Sequence, residues 1–342
     1  MKKKYIFLSI IVGLIVVILG VFGYEYHQIL ITANTISNNH SKIDQEHLKQ
    51  GKPFSILVLG TDVGALGRGT EYAGNTDTME LITVNPAKQQ ILMTAIPRDT
   101  LVRVKTKKKT TYTKINATYA LSGASGVKKQ VSELLNVPVD YYALINMGAL
   151  EKIVTAVGGV EVNNPFSFTY EGHKYPKGKQ FLNGKEALGY SRMRYDDPDN
   201  DYGRQKRGQQ VLLSALQKVG KSKNIIQINN LLSITKGNVQ TDLPLNDLRT
   251  LYKNYHNALN KSEDDHLQGK NATIDGLSFQ IAPKSEMQRL SNKIRQSLDL
   301  KKVKVNNIEI KMNEMQTSWN GYNNVNYVLP GNAKAYVPIY KS

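Results

Sequence analysis

Residues 191–207 (SRMRYDDPDNDYGRQKR) bring many charged side chains together within a short stretch of the chain. These side chains are Arg192, Arg194, Arg204, Lys206, Arg207, Asp196, Asp197, Asp199 and Asp201. Guanidinium groups bind phosphate oxygens through paired hydrogen bonds, so the stretch could form a site for a multiply charged anion. An exposed loop whose aspartates neutralise its arginines would have the same composition. Both interpretations are open at this point.

The spacing of the arginines favours the anion site. If Asp201 is the N-cap of a helix over residues 202–219, Arg204 lies in its first turn and Arg207 one turn on. Cations in a first turn oppose the helix dipole, whereas an anion bound there satisfies the dipole and both guanidiniums. In an extended segment, Arg192 and Arg194 would face one side and join the same cluster. We therefore expect all four arginines to bind the anion.

A second group of charged residues follows predicted strands. Asp62 ends the first strand, Asp77 begins the second, and Arg98 and Asp99 follow the third. Strand ends are where α/β folds place their chemistry. Two aspartates could hold Mg²⁺ through oxygen ligands, with phosphate completing the coordination. The alternative is that each aspartate is an ordinary turn or cap residue.

Alternating strand and helix patterns position these residues. Apolar runs predict strands at 54–60, 79–85, 89–96 and 141–147. Periodic segments predict helices near 115–135, with a break at SGASG, and at 149–157, 184–192, 202–219, 245–257 and 284–298. The tail from about residue 300 has a strand-like pattern. This order predicts an α/β fold, an α-β-α sandwich with a central mixed sheet.

The N-terminus predicts a membrane anchor. Residues 5–24 contain no charged side chain and are long enough to span a bilayer as a helix. The lysines in residues 1–4 place that end in the cytoplasm and the rest of the chain outside the cell. A cleaved signal peptide would have a shorter apolar run and an A-x-A-like site. We expect a stalk at 25–52, a globular domain at 53–300 and a C-terminal extension at 301–342.

The composition and the absence of certain motifs exclude several classes of function. The 342 residues carry a net charge of +17 and no cysteine, which excludes disulfides, thiolate metal sites and a cysteine nucleophile. Nucleotide-binding glycine loops, the serine-hydrolase elbow and zinc-ligand spacing are absent from the sequence. Outside a cell, anionic wall polymer and lipid phosphate are more plausible partners for the positive charge than nucleic acid.

Several segments together resemble the LytR-CpsA-Psr (LCP) family of Gram-positive cell-envelope proteins. They cover most of residues 54–250 in family order: ILVLGTD (56–62), NTDTMELITVNP (75–86), TAIPRDT (94–100), KINATYA (114–120), YYALINM (141–147), VGGVEV (157–162), LNGKEALGYSRMRYDDPDNDYGRQKRGQQ (182–210) and TDLPLNDL (241–248). The resemblance implies that residues 53–300 form a catalytic domain. It also implies transfer of teichoic acid or capsular polysaccharide from a polyprenyl-pyrophosphate carrier to a peptidoglycan hydroxyl, as a phosphodiester.

The resemblance assigns roles to particular residues. The aspartates at Asp62 and Asp77 match those that serve Mg²⁺ (or Mn²⁺). The arginines that match the pyrophosphate-binding positions are Arg98, Arg192, Arg194 and Arg204. Arg98 would touch the reacting group, and either Asp99 or Asp196 would accept the proton of the acceptor hydroxyl. Pyrophosphate hydrolysis would be a side activity.

One position departs from the family pattern. A glutamine usually follows the arginine at Arg207, and this chain has Gly208 there, with Gln209 and Gln210 after it. Gln209 would lie about 100° further round the helix. The departure implies lower activity or a different head group. It also keeps open a non-catalytic module that binds lipid-linked polymer; a membrane-anchored transcriptional regulator is a further alternative.

Overall fold

The structure, a computed structural model, describes residues 45–61, 74–107, 109–221, 237–244, 248–321 and 327–336. The predicted span at 5–24, the stalk up to residue 44 and Asp62 lie outside these residues. Within the described part of the chain, no helix is both long and apolar enough to cross a membrane.

A mixed β-sheet forms the centre of the fold. The strands of the described residues are β1 (Phe54–Thr61), β2 (Thr76–Asn85), β3 (Gln90–Ala95), β4 (Leu101–Lys105), β5 (Thr110–Lys114), β6 (Tyr141–Asn146), β7 (Val160–Asn164), β8 (Phe168–Tyr170), β9 (His173–Tyr175), β10 (Gly178–Leu182), β11 (Val239–Thr241), β12 (Lys261–His266), β13 (Lys270–Ile274) and β14 (Leu277–Ile281). The central sheet contains six of them, in the order β11-β6-β1-β2-β3-β12. β1 pairs in parallel with β6 and antiparallel with β2. The sequence therefore predicted the mixed sheet correctly.

Helices cover both faces of this sheet. They are α1 (Gln45–Lys49), α2 (Thr118–Leu135), α3 (Met147–Ala156), α4 (Gly184–Arg192), α5 (Asn200–Lys221), α6 (Leu248–Tyr255), α7 (Lys284–Ser297) and α8 (Ile308–Glu314). On one face, Leu57 and Leu81 pack with residues of α2 and α7 such as Val131 and Leu290. On the other face, Ile82 and Met93 pack with leucines of α5. Burial of apolar side chains on both faces explains why these strands read as continuous apolar runs.

Local sequence signals correctly predicted the start of one helix and a break inside another. The Asn183 side chain accepts a hydrogen bond from the Glu186 amide, and the Glu186 carboxylate accepts one from the Asn183 amide. This reciprocal cap starts α4 as predicted. Gly123 adopts a positive φ of 66° inside α2, which is the break expected at SGASG. A residue without a Cβ takes this conformation at little cost.

Two local predictions were wrong. α5 begins at Asn200, so Asp201 lies inside its first turn and its carboxylate binds a side chain rather than capping the amides. The segment after residue 300 has α8, capped by Asn307, where a strand-like pattern was predicted. Its Ile310 faces the main core, and burial at helical spacing explains the outcome.

Candidate functional site

A cavity lies between the sheet and helices α3, α4 and α5, with about 910 Å³ of empty space including its open part. Thr61 and Asn146, the last residues of the parallel strands β1 and β6, lie in its wall. The carboxyl ends of neighbouring strands are where open α/β sheets bind ligands. The topology thus places this cavity beside the segments that the sequence singled out.

Asp77, Arg192 and Arg204 line the cavity where β2 begins, α4 ends and α5 begins, which we call its charged end. Leu188 and Leu212 lie one turn away along α4 and two turns away along α5, at what we call its apolar end. Val58, Ile145 and Leu150 are further apolar residues of the wall. A molecule with a phosphate head group and a hydrocarbon chain would match both ends.

Four side chains form what we call the charged cluster: Asp77, Arg98, Asp201 and Arg204. Arg98 Nη1 lies 3.2 Å from Asp77 Oδ1, and Arg98 Nε lies 3.9 Å from Asp201 Oδ1. Arg204 donates to Asp201 from Nε at 2.8 Å and to the Asp77 carbonyl oxygen from Nη2 at 3.1 Å. The cluster therefore joins α5 to β2 and to the segment after β3. It brings together residues of the stretch 191–207 and of the second charged group, at the strand ends.

Electrostatics favour the ionised forms of Asp201 and Arg98. Burial raises the pKa of the Asp201 carboxyl, but Arg204 and Arg98 outweigh that effect and hold the pKa below its usual value. Burial lowers the pKa of Arg98, but the carboxylates of Asp77, Asp201 and Asp99 raise it overall. Each charged group therefore stabilises the charge of its neighbours. Arg98 Nε is buried and makes no hydrogen bond within the described residues, so part of its donor capacity is unused.

Neighbouring polar residues hold the cluster in place. Lys114 Nζ lies 2.7 Å from Asp99 Oδ1, and Arg98 Nε lies 3.8 Å from the other oxygen of that carboxylate. Asn116 donates to Asp77 Oδ1 at 3.4 Å. Lys114 and Asn116 belong to the KINATYA segment, and the sequence predicted no role for either. Each acts through the strand-to-helix turn that carries it, a contact that spacing in the sequence does not reveal.

The remaining predicted arginines separate in the structure. Arg192, the last residue of α4, lines the cavity and pairs with Glu171 at 3.1 Å. Arg194 lies beyond the helix and stacks on the exposed Tyr195 ring, 5.0 Å from its centroid. Within the described residues, Arg194 is not part of the cavity wall. Only Arg192 therefore lies in the cavity wall, and neither arginine contacts the charged cluster within the described residues.

Arg207 requires a correction, because the structure places it in the core rather than in the anion site. Its side chain is 1% exposed and forms an ion pair with the buried Asp197. Its guanidinium also donates to the carbonyl oxygens of Tyr190, at 3.0 Å, and Met193. The ring of Phe168 lies 5.4 Å away. These contacts occupy the guanidinium inside the lobe formed by α4, α5 and β7–β10, so Arg207 has a structural role.

The predicted acids have different surroundings. Asp77 lies in the cavity wall, and Asp99 contacts Arg98. Asp196 is exposed and is absent from the cavity wall as far as the described residues define it. Asp62 lies outside the described residues, directly after Thr61. The described part of the chain contains no group of three acidic or histidine side chains that could by itself hold a metal ion.

Two polar residues in the cavity wall, Gln205 and Glu80, had no role predicted from the sequence. Gln205 donates to Asp201 at 3.0 Å, and Gln209 donates to Glu80 at 2.8 Å. Burial raises the pKa of Glu80 to about 8. A signal was present, since Glu80 interrupts the apolar run MELITV. It was missed because a strand buried on both faces gives no alternation to assign that residue to a face.

Comparisons with known proteins agree with one another. The sequence matches the LytR_cpsA_psr family over residues 23–296. An Enterococcus faecalis protein, named polyisoprenyl-teichoic acid–peptidoglycan teichoic acid transferase TagU, is 36% identical over 306 residues, 88% of this chain and 99% of that protein. Biofilm regulatory protein A of Streptococcus mutans is 36% identical over 324 residues, 90% of this chain and 80% of that protein. The crystal structure of gbs0355 from Streptococcus agalactiae is 34% identical, with a TM-score of 0.71 over 82% of this chain and 100% of that one.

Proposed function

This chain belongs to the LytR-CpsA-Psr family, and on that premise we propose that it transfers an anionic glycopolymer from a polyisoprenyl-pyrophosphate carrier to peptidoglycan. The polymer class is teichoic acid or capsular polysaccharide. The relative named above as a teichoic acid transferase aligns over nearly its whole length. The chain is therefore a transferase.

The observation that carries the proposal is the division of the cavity into a charged and an apolar end. The cavity wall contains Arg192 and Arg204, which provide cationic donors for a pyrophosphate. A further donor is Arg98, which pairs with the cavity residue Asp77. The apolar walls would bury an isoprenoid chain, which contributes about 0.8 kcal/mol for each buried CH₂ group. The lipid would supply most of the affinity, and the arginines would fix the position of the phosphates.

The reaction forms one phosphorus–oxygen bond and breaks another. A peptidoglycan hydroxyl attacks the phosphorus that carries the glycan, and the bond from this phosphorus to the bridging oxygen breaks. Polyisoprenyl phosphate leaves with the bridging oxygen and its electrons. Arg98 and Arg204 would stabilise the negative charge that develops there. The hydroxyl proton passes to a carboxylate, for which Asp99 is the better placed candidate because it contacts Arg98.

A divalent cation fits the acidic side of the charged end. Asp77 presents a carboxylate that is 28% exposed, and carboxylate oxygens are the ligands that Mg²⁺ prefers. We propose that Asp77 and Asp62, which directly follows the cavity residue Thr61, hold Mg²⁺ or Mn²⁺. The bound cation would neutralise charge on the pyrophosphate.

We also propose that residues 5–24 anchor the chain in the cell membrane as a single span, with the N-terminus in the cytoplasm and the catalytic domain outside. The apolar run and the lysines before it support this arrangement. The anchor would keep the domain at the surface where the carrier lipid resides.

The function can be tested by transfer of a radiolabelled, lipid-linked polymer to purified peptidoglycan by the full chain in liposomes. We expect a covalent, phosphodiester-linked product whose formation falls strongly in Arg98→Ala and Arg204→Ala. Lys206→Ala is the matched control, because Lys206 pairs with Asp199 on the exposed side of α5. Binding of the lipid without any product would favour the scaffolding alternative. Unchanged transfer in both arginine variants would refute the site.

A further inference from the structure

Glu80 is an acidic residue in the middle of the sheet and in the wall of the cavity. It lies on β2 between Val58 of β1 and Ala95 of β3, and it is 3% exposed. It is three residues along β2 from Asp77, about 10 Å for an extended strand. Glu80 thus lies between the charged end of the cavity and the leucines of the apolar end.

The hydrogen bonds around Glu80 define where its acid proton resides. Gln209 Nε2 donates to Glu80 Oε1 at 2.8 Å and to the Asp265 carbonyl oxygen at 3.1 Å. A carbonyl oxygen can only accept, so the amide nitrogen of Gln209 must face both partners. Glu80 Oε1 is therefore an acceptor, and the proton of the neutral acid belongs on Oε2. That second oxygen has no hydrogen-bond partner among the residues that the structure describes.

The surroundings of Glu80 keep it neutral near pH 7. Burial raises the pKa of its carboxyl to about 8; the Gln209 hydrogen bond opposes the rise and the charge of Asp264 adds to it. The charged groups that share the cavity with Glu80 are Asp77, Arg192 and Arg204, and within the described residues no ion pair or hydrogen bond joins them to its carboxyl. An apolar site that keeps a carboxylic acid neutral allows it to act as a hydrogen-bond donor.

We propose that Glu80 binds the substrate by donating a hydrogen bond from its acid O–H group to the lipid-side phosphate of the polyisoprenyl pyrophosphate. This inference rests on the proposed function and adds a contact that the arginines do not provide. Phosphate oxygens only accept, so a carboxylate beside them would repel them, whereas a neutral acid attracts them. The position of Glu80 between the arginines and the apolar walls is where that phosphate would join the hydrocarbon chain.

Binding of two probes to the full chain in detergent micelles tests this contact. The probes are farnesyl pyrophosphate and farnesol, which share the chain but differ in the head group. In the wild type, we expect the Kd for farnesyl pyrophosphate to rise about tenfold for each pH unit above 8, as Glu80 ionises. The charge of farnesyl pyrophosphate itself is constant in that range, because its last phosphate pKa lies near 6. Glu80→Gln retains a donor and cannot ionise, so its Kd should stay level with pH.

Glu80→Leu separates the hydrogen bond from cavity packing. At pH 7, we expect this variant to bind farnesyl pyrophosphate about tenfold more weakly than the wild type, and farnesol equally well or more tightly. Glu263→Gln, which changes an exposed acid on β12, is the matched control and should reproduce the wild-type profile. Thermal unfolding of each variant establishes that it is folded.

Three results would overturn the inference. If Glu80→Gln loses as much binding at alkaline pH as the wild type does, the group that titrates is not Glu80. Equal weakening of both probes in Glu80→Leu would reduce Glu80 to a packing residue. A wild-type chain that binds farnesol but not farnesyl pyrophosphate at pH 7 would refute the proposed function, and with it this contact.

Discussion

Arg204 and Arg207 lie one turn apart in the same helix, yet they belong to two different regions of the molecule. Arg204 lines the cavity, is 12% exposed and shares the carboxylate of Asp201 with Arg98. Arg207 is 1% exposed, and its donors are occupied by Asp197 and by backbone carbonyls. An arginine is available to a ligand only where the protein leaves part of its guanidinium unsatisfied. The comparison therefore distinguishes a binding arginine from a structural one by its hydrogen bonds, not by its position in the sequence.

The structural region is packed closely around its ion pair. The rings of Phe168 and Tyr190 lie 5.4 and 5.8 Å from the Arg207 guanidinium carbon. Gly203 permits this packing, because a Cβ there would lie 2.0 Å from the carboxylate oxygens of Asp197. In the cavity region, Gly208 has open space instead, since an added Cβ would meet nothing within 4 Å. The face of α5 that carries Gly203 is thus closely packed, whereas the face that carries Gly208 borders open space.

The largest expected effect is that of Arg207→Ala on stability. Removing the guanidinium leaves Asp197 buried without its counter-charge, which costs about 3–5 kcal/mol of unfolding free energy. Urea unfolding followed by circular dichroism measures it. Lys206→Ala, one residue earlier and exposed, should change stability by less than about 0.5 kcal/mol. A near-wild-type midpoint for Arg207→Ala would show that the two regions do not differ as the comparison requires.

The second effect concerns activity. We expect Arg204→Ala to lower the transfer rate by about 10²–10³, the usual loss when one donor to a developing negative charge is removed. Its stability should stay close to that of the wild type, because Asp201 remains partly exposed and Arg98 lies 3.9 Å away. Single-turnover transfer and urea unfolding are measured on the same preparations. A variant that unfolds readily but transfers normally would place Arg204 with Arg207 in the structural class.

The contrast also shows how far the sequence alone could lead. The prediction of Arg204 at the anion site was consistent with the structure because its reasons were local: a first-turn cation beside an aspartate. The prediction for Arg207 failed because its partners, Met193 and the rings of Phe168 and Tyr190, come from elements that fold back onto α5. Helical spacing assigns a residue to a face of the helix, but it does not show what packs against that face.

The same difference between local and non-local signals applies to the strands of the central sheet. Its central strands were predictable because apolar runs bounded by turn residues are a short-range signal. The edge strand β12 was missed because its sequence, KSEDDH, is polar and its pairing with β3 is non-local. Charged residues on an edge strand discourage pairing with other chains, so polarity there is an expected feature of the fold.

The third effect tests the interior of the cavity through pH. The pKa of Glu80 is about 8 in the folded chain and near 4.5 in the unfolded one, so the folded state binds more protons between these values. Wild-type stability should therefore fall as pH rises from 4.5 to 8 and level off above 8. Glu80→Gln removes this loss and should be more stable than the wild type by about 3 kcal/mol at pH 7, with almost no difference at pH 4.5. Urea midpoints across this range measure the difference; a constant gap would contradict it.

The smallest effect is expected from Gly208→Ala and concerns the open side of α5. Glycine inside a helix is about 0.8–1 kcal/mol less favourable than alanine, and the added methyl group would enter empty space. We expect the variant to be more stable by about that amount in thermal unfolding. Gly203→Ala is the matched control, and it should have the opposite sign because its methyl group meets Asp197. If the stabilised Gly208→Ala chain transfers more slowly, the space beside Gly208 is used by substrate. If it transfers as fast as the wild type, only the closed face of α5 requires its glycine.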